Sequence, residues 1–137
     1  MPVRLWTGWS NGHHANEQEE TQMPHPVIHT EIRSENPDAT REFFASLFGW
    51  KVASEGGFPG YTFIDTGTED GPAVAISPRQ GAEDEVLLFV AVENVAETLK
   101  RAEELGGTIV QPVQEVPGVS FGVFADALGH KVGVAAN

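Results

Sequence analysis

The sequence predicts an α+β fold of two βαβββ modules in one domain. Three observations predict it. Strand and helix periods follow one another in the order β, α, β, β, β. That order then recurs further along the chain, which marks an internal repeat. The whole is 137 residues long, enough for one sizeable core.

"VIHTEIR" (27–33) alternates, with Ile28, Thr30 and Ile32 on one face and His29, Glu31 and Arg33 on the other. "SENPDATREFFASLFG" opens a helix with Asn36 as N-cap, Pro37 at the first helical position and Asp38 at the positive end of the dipole. Ala39, Phe43, Phe44, Leu47 and Phe48 form its apolar stripe, and Gly49 stops it. "WKVAS", "YTFIDT" and "PAVAIS" read as three strands separated by the turns "EGGFPG" and "GTEDG". The pattern restarts with the strand "VLLFVAV" and the helix "ENVAETLKRAEELGG", capped by Asn94, with Val95, Leu99, Ala102 and Leu105 on one side. "TIVQPV", "VSFGVFAD" and "HKVGVAA" supply the last three strands. The helix-ending glycines Gly49 and Gly106 set the offset at 57 residues (106 − 49). Module one is expected over 26–78 and module two over 85–135, within a domain of 25–137. Residues 1–24 read as a polar, acidic arm, in which Trp6 and Trp9 are candidate contacts and His13-His14 an incidental pair.

Composition excludes several function classes. With no cysteine there is no disulfide, thiolate nucleophile or sulfur-ligated zinc. Twenty acidic residues against 8 basic ones give a net charge of −12, a surface that repels nucleic acid and attracts small cations. No run approaches a membrane span and the start lacks the apolar core of a signal peptide, so a cytoplasmic protein with no membrane partner is expected. There is no P-loop, no dinucleotide fingerprint and no nucleophile elbow. Asp126 and His130 flank the turn "DALGH" and read as a turn-forming acid beside an exposed histidine.

At "HTEIRSENPDATREFFASLFGWKV" and "VAVENVAETLKRAEELGGTIVQPV", and again at the hairpin "FADALGHKVGV", the chain resembles the vicinal oxygen chelate superfamily. That group includes glyoxalase I, bleomycin-resistance proteins and extradiol dioxygenases. The resemblance covers about residues 26 to 135. It implies two βαβββ units curled into an open barrel. In metal-dependent members, the first and last strand of each unit supply a ligand. Here those positions fall on His29, Ala75, Leu87 and Gly133, and the neighbours of the last three are also apolar. A divalent site needs three or four donors, so neither a metal nor another cofactor is expected.

The same strand periods give a candidate pocket. His29 and Glu31 are the candidate polar or acid/base pair. Trp50, Tyr61, Phe63, Leu87, Phe89 and Phe121 are the candidate substrate-binding walls. His29 is open between a pocket group and a hydrogen-bonded structural histidine. The favoured function is metal-independent binding of a small, partly apolar molecule, cationic or aromatic, in the manner that the resemblance to resistance-type members implies. The alternatives are a glyoxalase-like lyase or isomerase using His29 and Glu31, with or without a divalent metal, and an interaction module. A homodimer is expected from the resemblance and from the open sheet edges.

Overall fold

The computed structural model describes residues 24–56 and 59–137. Trp6 and Trp9, the contacts expected from the arm, lie outside the described residues. Strand β1 (Val27–Ser34) connects through Glu35 and Asn36 to helix α1 (Pro37–Phe48). Strands β2 (Lys51–Glu55), β3 (Thr62–Asp65) and β4 (Ala73–Pro78) complete module one. Module two repeats the order as β5 (Glu85–Ala91), α2 (Val95–Glu104), β6 (Thr108–Val116), β7 (Val119–Ala125) and β8 (Lys131–Ala136). Both helix starts follow the predicted capping chemistry. The Asn36 side chain accepts from the Ala39 amide at 3.1 Å, and that of Asn94 accepts from the Glu97 amide at 3.0 Å.

Among the described residues, eight strands join one sheet in the order β2-β3-β4-β1-β5-β8-β7-β6. The sheet is open. β1 and β5 pair antiparallel at its centre, so the two modules meet edge to edge with His29 opposite Phe89 and Glu31 opposite Leu87. In each module the first strand runs parallel to the last: Glu31 lies beside Ala75, and Phe89 beside Gly133. The odd-numbered residues of β1 and β5 thereby reach one face, which carries the cavity, and the helices cover the other.

The two helices cover it unequally. Val95 and Leu99 of α2 are buried with Val134, and Phe124 and Ile109 pack around them. The approach is close because β7 has no side chain at Gly122, where a Cβ would stand 2.8 Å from Leu99 Cδ1. Helix α1 buries no residue. The stripe expected to seat it is largely outside: Phe43, Leu47 and Phe48 are 61%, 59% and 57% exposed.

Strand β6 extends three residues beyond the expected "TIVQPV", to Val116, and contains Pro112. It is an edge strand, where a missing amide costs no ladder bond, and its register against β7 shifts between Gln111 and Gln114. That extension carries the β6–β7 turn over the cavity. Among the described residues, no helix is long and apolar enough to cross a membrane.

Candidate functional site

On the inner face lies a cavity of about 410 Å³, lined by residues of both modules. Of the predicted residues, His29, Glu31, Tyr61, Phe63, Phe89 and Phe121 line it. Two do not. Leu87 is 1% exposed and packs into the core with Phe89 and Val123, beneath the wall. Trp50 belongs to the opposite side of the sheet. It follows the Gly49 cap of α1, and its ring lies tilted against Phe44 and Phe48, with centroids 5.4 and 5.3 Å away.

The polar corner is built on β1 and β3. Alternation along β1 puts His29, Glu31 and Arg33 in one row. Tyr61, just before β3, reaches the same row from the side. Its hydroxyl donates to Glu31 Oε2 at 2.8 Å and lies 2.9 Å from His29 Nε2. Because the tyrosine proton goes to the carboxylate, Nε2 is the donor of the second bond. Arg33 Nε donates to Glu31 Oε1 at 2.8 Å. Arg33 Nη1 reaches Glu85 Oε2 at 3.3 Å and Gln111 Oε1 at 3.2 Å, and Gln111 in turn donates to Gln80 at 2.8 Å. The corner is thus tied into module two behind the cavity.

This geometry sets the charges. Burial raises the Glu31 carboxyl, but the His29 ring, the Arg33 guanidinium and the Tyr61 hydroxyl outweigh it and hold the pKa below its ordinary value. Burial and the Glu31 charge push the Tyr61 phenol far above the usual range. Glu31 is therefore a carboxylate and Tyr61 a neutral phenol near neutrality. Both are held in these states, which makes Glu31 a weak base and Tyr61 a weak acid.

Around this corner the walls are aromatic. The His29 ring lies 5.6 Å from Phe89 and 6.2 Å from Phe63, centroid to centroid, and Tyr61 meets Phe63 edge-on at 5.3 Å. Ile28, Gln80, Val116, Pro117, Val119 and Ala135 complete the lining. Sequence reasoning missed these six. A register shift between Val27 and His29 accompanies Ile28. "VPGV" is legible as a turn, but its place over the cavity depends on how far β6 runs.

The residues do not fit a metal centre of the kind the resemblance implies. At the four ligand positions only His29 has a donor side chain. A Cβ at Gly133 would stand 2.4 Å from Phe89 Cε2, so the aromatic ring occupies the space that a ligand side chain there would need. Among the described residues, no group of three or more His, Cys, Asp or Glu could hold a metal ion. Asp126 and His130 form an exposed turn. Asp126 Oδ1 accepts from the His130 amide at 2.8 Å and from the Leu128 amide at 3.0 Å, which lowers its pKa.

A family model described as a glyoxalase-like domain matches residues 29–135. Solved structures share the fold at low identity. A hypothetical protein, BH1468 from Bacillus halodurans C-125, aligns with a TM-score of 0.60 and 14% identity, over 82% of this chain and 94% of its own. A methylmalonyl-CoA epimerase from Mycobacterium tuberculosis gives a TM-score of 0.57 and 12% identity, over 80% and 86% of the two chains. A glyoxalase/bleomycin resistance protein/dioxygenase superfamily member from Vibrio splendidus 12B01 gives 0.54 and 14%, over 82% and 98%. No match to a curated protein was found.

Proposed function

The chain belongs to the glyoxalase-like domain family, and from that premise we propose that it binds a small molecule without a metal and without transforming it. The ligand has an aromatic or apolar body and a cationic hydrogen-bond donor, such as a protonated amine. The observation that carries this reading is the distribution of polarity in the 410 Å³ cavity: apolar on most sides, with one corner of acceptor oxygen.

Proton bookkeeping decides what that corner would prefer. His29 Nε2–H points at Tyr61, Tyr61 O–H points at Glu31, and Arg33 Nε–H points at Glu31. The His29 and Tyr61 donors are spent within the corner, and the Glu31 oxygens, each already accepting one bond, have lone pairs left to accept from a ligand. Behind them, Arg33 Nη2 is a buried donor with no partner among the described residues. Aromatic faces from Phe63, Phe89 and Phe121 would add cation–π attraction. The net charge of −12 raises the local concentration of cations. Burial of the ligand body would supply most of the affinity, at roughly 25 cal/mol per Å² of apolar area before ordering costs.

The enzymatic alternative uses His29 and Glu31 as acid and base. Similarity to an epimerase fold keeps it in view. Against it stand the lowered pKa of Glu31, which makes the carboxylate a poor base, and the raised pKa of Tyr61, which makes the phenol a poor acid.

A panel of dyes, antibiotics and thiol–aldehyde adducts, assayed for both binding and consumption, tests the proposal. Saturable binding without consumption is expected. Turnover that disappears in His29→Ala while binding survives would replace this reading with the enzymatic one.

A further inference from the structure

Gln80 lines the cavity but takes no direct part in the Glu31 corner. It stands two residues after β4, in the segment that joins the modules. Its side-chain partner among the described residues is Gln111 of β6, whose Nε2 donates to Gln80 Oε1 at 2.8 Å. What that bond leaves for a ligand depends on which end of each amide faces which.

The order of donors is set from Arg33, which is 2% exposed and pinned by Glu31 and Glu85. A guanidinium only donates, so the Gln111 atom 3.2 Å from Arg33 Nη1 is its carbonyl oxygen. The Gln111 amide nitrogen therefore faces Gln80, where it can only donate. Gln80 accepts with its carbonyl oxygen, and its own Nε2 is left as a donor without a partner among the described residues. Turning either amide over would set two donors against each other. The buried cation thus fixes the polarity of an exposed side chain two hydrogen bonds away.

The fold aims Gln111 at this task. Ile109 and Gln111 are two residues apart on β6 and would share a face of a regular strand. The register shift between them breaks the alternation. Ile109 pairs with Phe124 and packs with it on the α2 side, whereas Gln111 pairs with Val123, which belongs to the inner core with Leu87 and Phe89.

We infer that Gln80 is a specificity-determining residue of the cavity, donating through Nε2 to an acceptor oxygen on the ligand. This role rests on the reading of the cavity as a site for amines. Glu31 accepts from the ammonium group, and Gln80 donates to a carbonyl or ether oxygen elsewhere on the same molecule. The ligand class narrows to amines with an aromatic body and an acceptor oxygen, such as amino ketones.

Calorimetry on wild type, Gln80→Glu and Gln111→Glu tests this. The probes are phenethylamines that bear, at the meta or para position, an acetyl group, the isosteric isopropenyl group, or a pyrrole whose N–H only donates. Wild type should bind the better acetyl compound about three- to tenfold more tightly than its isopropenyl isostere, the scale of one hydrogen bond. Gln80→Glu still accepts from Gln111 but has no donor left, so the acetyl advantage should vanish. The added charge acts on both members of a pair, since both carry the amine. Gln111→Glu should do more. The introduced carboxylate accepts from Arg33 and from Gln80 Nε2, so Gln80 turns its carbonyl to the cavity and the pyrrole compound gains over the acetyl one. A merely structural residue would not invert a preference. Circular dichroism checks each fold, and Gln80→Glu decides alone should Gln111→Glu not fold. Equal binding of acetyl and isopropenyl amines by wild type, or an acetyl preference that survives both variants, overturns the role of Gln80 and leaves the amine reading standing. Neutral acetophenones that bind as tightly as the acetyl amines, and lose affinity in Gln80→Glu, would uphold Gln80 and remove the amine reading. If no probe binds, both fall.

Discussion

The two modules share a topology and divide the work. Every polar residue of the cavity, His29, Glu31, Tyr61 and Gln80, precedes β5, whereas Phe89, Val116, Pro117, Val119, Phe121 and Ala135 from the second half are all apolar. Module two also completes its own core, with Leu99 2% exposed, while module one leaves α1 uncovered. The difference teaches that a duplicated unit need not duplicate its roles. In this chain the first half carries the polar groups of the cavity and the second half most of the buried apolar residues, and the antiparallel β1–β5 pair brings the two face to face.

The largest expected effect separates the helices. Leu99→Ala should cost about 2–5 kcal/mol in urea unfolding, because it empties a packed site. Leu47→Ala should cost under about 0.5 kcal/mol, as at an exposed position. Equal costs would erase the contrast between the modules.

Next comes the polar corner. Glu31→Gln removes the carboxylate that Arg33 and Tyr61 hold and should destabilise by roughly 1–3 kcal/mol near neutrality. The sign of its pH dependence follows from the lowered pKa of Glu31 in the folded chain. The contribution is fully present above the unfolded carboxyl pKa of about 4.3 and is lost as pH falls through the folded value. Wild type and Glu31→Gln should therefore converge in stability in acid. A gap that widens below that range would contradict the assignment.

An effect of similar size probes the expected ligand position in module two that carries no side chain. Gly133→Ala drives a methyl group into the Phe89 ring, at 2.4–2.7 Å from three of its carbons, and should cost about 1–3 kcal/mol through overpacking. It should also displace that wall of the cavity and alter ligand affinity. The smallest effect is expected from chelation. Prolonged treatment with a chelator should leave the melting temperature and ligand affinity unchanged, and metal analysis should find no stoichiometric ion. A tightly held ion on His29 would break the account of the corner.

Much of this was legible in the residues. Asn36, Asn94, Gly49 and the strand alternation carry local physics that tertiary contacts did not override, and the β1 row His29–Glu31–Arg33 follows from a two-residue period. Periodicity gives a face, however, and not a depth. Leu87 shares the inward face with Phe89, yet lies in the core beneath the wall, because depth depends on what Val123 and Phe89 fill. Trp50 was misplaced for another reason. It sits at the helix–strand junction, where neither period applies, and its partners are the α1 aromatics. Nothing local announced the reach of β6 or the exposure of the α1 stripe, since both depend on how far one element stands from another.

The division of labour is tested most directly with paired ligands that share an aromatic body and differ only by a protonated amine. Their affinities are measured by calorimetry on wild type, Phe89→Ala and Glu31→Gln, with folding of each variant checked by circular dichroism. Phe89→Ala should weaken both members of a pair by a similar factor, about tenfold or more for the lost apolar contact. Glu31→Gln should weaken the amine by about tenfold or more and leave the neutral partner almost unchanged. If Glu31→Gln lowered both affinities alike, or neither, the polar corner would have no role in recognition and the account would be wrong.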